Sequence, residues 1–384
     1  MEISDLRIAL FSGNYNMTLD GANKALNRLV EYLLRNGAAV RVYSPTIANP
    51  AFKPKGELVS VPSFAIPGRS EYRMAVGIGD TIRQDLANFA PNLLHISAPD
   101  FSARAAARWA KKRGLPVMAS VHTRFETYPR YYKMGFLEPL LTAWIREFYR
   151  RCDALVTPSE SMVNVLREQD MNGDITIWSR GVDRTIFGPG KRDLAWRRSL
   201  GIADDDVAIA FLGRLVMEKG LDIFADTIAN LRRQNIAHKV LVIGDGPARK
   251  WFEHALPDGI FAGFQTGADL GRALASADVF FNPSITETFG NVTLEAMASG
   301  LPVVASAATG STSLVQHGVS GILVPPGKAD AFAGAIEPYL TDKTLRQAHG
   351  AAGEKRSLDF SWDAINQAVA ETYLRLIQAR AQSV

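Results

Sequence analysis

At 384 residues, with 43 Lys+Arg against 39 Asp+Glu and 47% apolar residues, the chain has the balance of a globular protein long enough for two domains. No apolar run approaches the roughly 18–20 residues needed to span a bilayer. The single cysteine, Cys152, excludes an internal disulfide framework and a Cys-based metal site, and "MEISDLRIAL" has no basic leader, so a cytoplasmic protein is expected.

Short apolar runs alternate with helical patterns along the chain. "LRIALFS" (6–12) reads as a strand, and "GANKALNRLVEYLLRNG" (21–37) as a helix stopped at Gly37. "AVRVYS" (39–44), "LLHIS" (93–97), "PVMASV" (116–121) and "ALVTPS" (154–159) continue the strands. After "GVDRTIFGPGKR" the alternation restarts with "VAIAFLG" (207–213), "KVLVIGDG" (239–246) and "IFAGF" (260–264). "VFFNPS" (279–284), "PVVAS" (302–306) and "GILVPP" (321–326) complete it. Such alternation predicts parallel sheets with helices on both faces, and its restart marks a boundary. The expected fold is therefore α/β, with two Rossmann-like doubly wound domains, 1–187 and 188–360, facing across a cleft. The amphipathic segment 361–384 is free to pack back on the first domain.

The chemistry concentrates in "NPSITETFGNVTLEAMASGLPVV" (282–304), which holds Glu287 and Glu295. On one continuous helix their side chains would point about 80° apart. Read as strand, loop and helix, the segment instead puts Glu287 before the helix and Glu295 one turn inside it. The backbone N–H groups of Gly290, Asn291 and Val292, beside Phe289, then lie at a helix N-terminus, where free donors and the dipole attract phosphate. An acid there can accept from ribose hydroxyls, and it can equally be there for helix stability alone. "GRLVMEKG" (213–220) adds Arg214 and Lys219 after the preceding strand, a pairing suited to a diphosphate, although Lys219 would also suit a solvated turn. Gly244 and Gly246 in "GDGP" allow close backbone approach to a ligand, or form a tight turn. Gly13 and Gly21 bracket a first-domain loop that could approach phosphates or acceptor, or merely connect. His122 ends a strand, and Arg180 in "WSRGVD" ends the last strand of the first domain.

Residues 1–190 carry 24 Lys+Arg against 18 Asp+Glu, and the remainder 19 against 21. The basic half can face anionic lipid or a phosphorylated ligand; no nucleic-acid-binding signature is present, so that partner is not expected. In "RFETYPRYYKMGFLEPLLTAWIREFYRR" (124–151), Leu141, Trp144, Ile145 and Phe148 fall on one helical stripe beside arginines. That pattern fits a membrane interface or a core-facing helix with a charged edge.

Taken together, "PSITETFGNVTLEAMASGLPVVAS", "GRLVMEKGLD", "GDGP" and "RGVDRTIFGP" resemble, in order, the landmarks of the retaining nucleotide-sugar glycosyltransferases of family 4, which have the two-Rossmann GT-B fold. The resemblance implies that Arg214 and Lys219 bind the donor diphosphate, Glu295 the ribose and Glu287 the transferred sugar, with His122 at the reacting centre. It implies front-face transfer with retention, a donor phosphate oxygen taking the acceptor proton, and no metal or other cofactor. "SVHTRFETYPRYY" and "WSRGVD" look most like members that glycosylate lipids, such as sulfoquinovosyl-diacylglycerol synthases and lipid mannosyltransferases. This places Arg124, Tyr128, Arg130, Tyr131, Tyr132, Lys133 and Trp144 on the acceptor or membrane side, with peripheral association at an anionic inner leaflet. A UDP-sugar is the favoured donor and GDP-mannose the alternative. Two departures stand out: Asp20-Gly21 where the family has paired glycines, and "TGSTSLV" (309–315), with Ser313 where the family has an acid.

Other classes fit less well. "GIGDTI" (77–82) and "GDGPAR" (244–249) lack the third glycine of a dinucleotide fingerprint, and "GILVPPGKAD" (321–330) lacks phosphate-loop spacing. A non-catalytic sugar-nucleotide sensor would keep Arg214, Lys219 and Glu295 but would not need Glu287 or His122.

Overall fold

In the computed structural model, which describes residues 1–18, 21–66, 69–122, 135–287 and 289–382, the apolar runs become two parallel sheets. The first contains β1 (Arg7–Phe11), β2 (Ala39–Ser44) and β3 (Glu57–Ser60), an antiparallel pair β4 (Ser63–Ile66) and β5 (Arg69–Ala75) standing apart from it. It continues through β6 (Leu93–Ile96), β7 (Val117–Ser120), β8 (Ala154–Thr157) and β9 (Ile175–Ile177). The order is β3-β2-β1-β6-β7-β8-β9, all parallel. β1 lies between β2 and β6, so the chain turns outward in opposite directions from β1 and β6, a topological switch point. The central strands are buried on both faces, which is why they read as continuous apolar runs rather than alternations.

The second sheet holds β10 (Ala208–Leu212), β11 (Lys239–Ile243), β12 (Ile260–Gly263), β13 (Val279–Asn282), β14 (Val303–Ser306) and β15 (Gly321–Val324). Its order, β12-β11-β10-β13-β14-β15, is the doubly wound dinucleotide-fold order, with the switch point between β10 and β13.

The chain divides into Met1–Ser179 with Trp362–Val384, and Arg180–Ser361. The division falls at 179/180 rather than 187/188, because the intervening segment is tied to the second unit. Val182 N–H donates to Phe360 O (3.1 Å), and the Arg184 guanidinium donates to Ala298 O and Ser357 Oγ (both 3.0 Å) and pairs with Glu354 (2.8 Å). Arg180 accordingly opens the second unit instead of ending the last strand of the first.

The C-terminal helix Trp362–Gln382 belongs to the first unit. It packs on the helix Gly21–Arg35 through a Tyr32–Gln367 hydrogen bond and an Arg35–Asp363 pair at 2.6 Å, and Arg375 reaches Asp174 at 2.7 Å. Among the described residues no helix is long and apolar enough to cross a membrane.

Candidate functional site

The second unit gathers most of the sequence-singled residues at the carboxyl ends of β10, β11 and β13. After β13 the chain turns at Pro283 and Ser284, and the helix Asn291–Ala298 opens from Gly290. Asn282 fixes this turn: its Nδ2 donates to Thr293 Oγ1 (3.1 Å), and its Oδ1 accepts from Ser284 N–H (3.1 Å). Gly290 precedes the helix at φ +91°, a conformation a side chain would strain. Glu287 lies in the loop and Glu295 one turn into the helix. Phe289 is buried, edge-to-face with Phe360 (centroids 5.9 Å), so it braces the loop from below.

The loop after β10 meets the loop after β13. Lys219 Nζ stands 2.5 Å from Glu287 Oε1, both side chains partly open to solvent. Thr286 Oγ1 donates to Glu218 O (3.4 Å). Gly220, at φ +74°, lies against Pro283, where a Cβ would come within 3.2 Å. Arg214 is exposed, and its side chain has no hydrogen bond or ion pair among the described residues. One cation is thus paired with Glu287, and the other has no side-chain partner among the described residues.

Gly244 and Gly246 serve the packing of one loop on another. A Cβ on Gly244 would sit 2.0 Å from Gly213 O, and one on Gly246 2.5 Å from Leu215 O. Leu215 N–H donates to Asp245 O (3.0 Å), and Ala248 N–H to Leu215 O (2.9 Å). These glycines hold the segment that carries Arg214.

Sequence reasoning passed over Gly310. A Cβ there would lie 2.8 Å from both Glu287 Cβ and Phe289 C, so the "TGSTSLV" segment presses on the loop bearing Glu287. Its backbone is anchored from behind by Arg356, which donates to Ser313 O (3.0 Å) and Leu314 O (2.5 Å).

In the first unit, Gly13 follows β1 and His122 follows β7, while Gly21 begins a helix. His122 is buried, with its ring edge-to-face against Trp178 (5.1 Å, 62°). Trp178 in turn meets His95 (6.1 Å) and donates from Nε1 to Asn366 Oδ1 (3.3 Å). His95 is fully buried between Tyr373 Oη at Nδ1 (2.6 Å) and Ser120 Oγ at Nε2 (2.9 Å). Because Ser120 Oγ also faces Ile96 O (3.5 Å), the chain is satisfied with Tyr373 donating to Nδ1 and Nε2–H donating to Ser120. Burial pushes the His95 pKa down to about 3, keeping the ring neutral. The C-terminal helix thereby supplies two polar groups to the layer beneath His122.

Residues Arg124, Tyr128, Arg130, Tyr131, Tyr132 and Lys133 lie outside the described residues. The stripe that follows them is spent on the fold. Ile145 and Phe148 are buried in the core, Leu141 and Trp144 pack against it, and Arg104 stacks over Trp144 at 4.0 Å. The apolar side chains left open there are Phe136 and Leu140. The same unit carries an open cavity of about 530 Å³ lined by Arg83, Arg104 and Arg108, with Val76, Ile78 and the half-exposed Phe101 on its walls.

Comparison with known proteins bears on both units. Residues 19–185 match the family model described as glycosyltransferase family 4, and residues 206–342 the one described as glycosyl transferases group 1. A GDP-mannose-dependent alpha-mannosyltransferase of Corynebacterium glutamicum is 29% identical over 98% of this chain and 90% of its own. A sulfoquinovosyl transferase of Arabidopsis thaliana is 29% identical over 93% and 71%. Among solved structures, sucrose-phosphate synthase from Thermosynechococcus elongatus superposes with a TM-score of 0.79 at 21% identity, over 97% of this chain and 99% of that one. An Anabaena protein in complex with UDP and glucose gives a TM-score of 0.72 at 20% identity, over 96% and 99%. The double switch-point architecture, the ordered landmarks and these matches agree: the chain belongs to glycosyltransferase family 4 and is a glycosyltransferase of the GT-B type.

Proposed function

We propose that the protein transfers a hexose from a nucleoside-diphosphate sugar to a hydroxyl of a membrane lipid, with retention and without a metal. The observation that carries this reading is the Lys219–Glu287 pair at the β10/β13 switch point, beside an uncommitted Arg214 and the amides opening the helix Asn291–Ala298. Breaking a sugar–phosphate bond builds negative charge on the leaving phosphate. Preorganised cations and N–H groups aimed at that charge lower the barrier. Arg214, Lys219 and the Gly290–Val292 amides are suited to the diphosphate, Glu295 to the ribose hydroxyls and Glu287 to the sugar hydroxyls. Lys219 would exchange part of its hold on Glu287 for phosphate as the donor enters.

The corynebacterial relative, matched over nearly all of both chains, moves the preferred donor from a UDP-sugar to GDP-mannose. A UDP-sugar remains the second reading, supported by the UDP complex of the Anabaena neighbour. Calorimetric titration with GDP and UDP in the presence of EDTA separates them: GDP binding at least tenfold tighter supports the first, the reverse order the second. No binding of either nucleotide under EDTA would contradict the metal-independent site.

A lipid acceptor is supported by the sulfoquinovosyl transferase relative, by the basic first half, and by the arginine-lined cavity with its apolar wall. A cationic recess flanked by exposed apolar groups suits an anionic leaflet, which would place the enzyme peripherally on the membrane.

A further inference from the structure

The backbone of β7 is carried by its neighbour β8 as far as Val121. Val121 N–H donates to Val156 O (2.8 Å), and Val121 O accepts from Thr157 Oγ1 (3.3 Å). His122 is the next residue, and its ring is met from the far side of β8. Trp178 follows β9, its own N–H on Thr157 O (2.8 Å), and its buried indole lies edge-to-face with the His122 ring at 5.1 Å. β8 separates β7 from β9, so those two strands stand about 10 Å apart. A tryptophan is long enough to cover that span, and a smaller ring at 178 would fall short of His122.

The indole is itself fixed on two further sides. His95 meets it at 6.1 Å, with its ring locked in turn by Tyr373 at Nδ1 and Ser120 at Nε2. Trp178 Nε1–H donates to Asn366 Oδ1 (3.3 Å), and Asn366 Nδ2 donates to Arg28 O (3.3 Å). Asn366 is 1% exposed and sits on the helix Trp362–Gln382, among buried Ile365, Val369 and Ala370. Packing alone would be served by an apolar residue there, since a buried amide adds little net stability even when bonded. What a satisfied buried amide does add is a single orientation for its partner. The C-terminal helix thus fixes the indole at its N–H. The indole abuts a histidine at the carboxyl end of a sheet, where doubly wound folds place their chemistry.

We propose that Trp178 and Asn366 are positioning residues for His122: the C-terminal helix orients the indole, and the indole sets the plane of the imidazole. The service of His122 in sugar transfer rests on the glycosyltransferase reading; the setting of its ring by Trp178 does not. Neither Trp178 nor Asn366 touches substrate, so their loss falls on the chemical step and spares nucleotide affinity, which is assigned to the second unit.

The test combines Asn366→Leu with Trp178→Phe in the full chain. Removing both partners of a buried hydrogen bond leaves neither orphaned, so the double variant should melt close to the wild-type temperature. One readout is the His122 imidazole signal in NMR, identified by its absence in His122→Gln. The other is nucleoside-diphosphate release from GDP-mannose and from UDP-glucose, with vesicles of mixed membrane lipids as acceptor. The expected result is a moved His122 signal and kcat lowered about tenfold or more, with donor KM and GDP and UDP affinity unchanged. Where the double variant fails to fold, Asn366→Thr, near Asn in volume, withdraws the amide alone and must move the His122 signal for the proposal to stand. An unmoved His122 signal overturns it in every case. So does wild-type kcat in the double variant where His122→Gln lowers turnover. A moved signal with turnover untouched by His122→Gln keeps the positioning and discards the glycosyltransfer reading of His122.

Discussion

Lys219 Nζ lies 2.5 Å from Glu287 Oε1, joining the loop after β10 to the loop after β13. The pair sits on partly open side chains, so it adds little to folding and is free to rearrange around a ligand. Replacing Lys219 or Arg214 by Ala should therefore cost catalysis more than stability. Each variant is expected to lose about 10²–10³-fold in kcat/KM, the scale seen on removing one preorganised donor from developing charge. Steady-state kinetics alongside thermal melts checks this. A large fall in melting temperature for Arg214→Ala would mean that the side chain serves the fold.

Gly310 offers a sterically defined prediction. Gly310→Ala would drive a methyl group into Glu287 Cβ and the Phe289 backbone, each 2.8 Å from the new atom. The variant should lose at least tenfold in kcat as Glu287 is displaced. Gly334→Ala, in the helix Ala329–Thr341 with nothing within 4 Å of the new methyl, should retain full activity and gain a few tenths of a kcal/mol or more in stability. Parallel kinetics on the two variants provide the measurement.

Buried His95 makes stability depend on pH. Its folded pKa of about 3 lies below the ordinary value of 6.5, so below pH 6.5 the unfolded chain binds a proton that the native ring refuses. Stability contributed by this group is present above pH 6.5 and lost as pH falls toward 3, with a slope up to about 1.4 kcal/mol per pH unit. Denaturant titrations across that range should show His95→Gln with a shallower pH slope than the wild type. Tyr373→Phe leaves Nδ1 without its donor and should cost about 1–3 kcal/mol at neutral pH. If His95→Gln reproduced the wild-type slope, the titration would have to be assigned elsewhere.

Membrane attachment through the arginine-lined cavity predicts salt-dependent binding to vesicles containing phosphatidylglycerol and little binding to neutral vesicles. Charge reversal at Arg83 and Arg108 together should abolish sedimentation with anionic vesicles while sparing nucleotide affinity. Arg104 is a poor choice for this test, because its stacking on Trp144 and its hydrogen bond to Trp144 O (2.7 Å) make it part of the fold. Vesicle binding indifferent to lipid charge and salt would remove the cavity from the account.

The central strands were legible because burial on both faces leaves an apolar run; "ALVTPS" (154–159) starts where β8 starts, and all four residues of β8 are buried. The hairpin β4/β5, the edge strand β3 and the three-residue β9 were not, since "ELVS", "SFAI" and "ITI" are short and carry weak burial signals. Glu287 and Glu295 were found because a glycine separates loop from helix within a few residues. Gly310 escaped because its meaning lies in a tertiary neighbour, Glu287, which is 23 positions away. The arginine-flanked stripe at 141–148 shows the converse difficulty, since a membrane face and a core face have the same periodicity until the core is known.

The central claim is that Glu295 holds the donor's ribose and Glu287 its sugar. Steady-state kinetics of Glu295→Ala and Glu287→Ala with varied donor test it most directly. Losing a hydrogen bond to a charged group costs about 1.5–3 kcal/mol, roughly 10–150-fold. Glu295→Ala should place that loss mainly in donor KM, because ribose is held equally in the ground and transition states. Glu287→Ala should place it mainly in kcat, because the sugar's contacts tighten as it reacts. Near-wild-type kinetics in both variants would contradict the account.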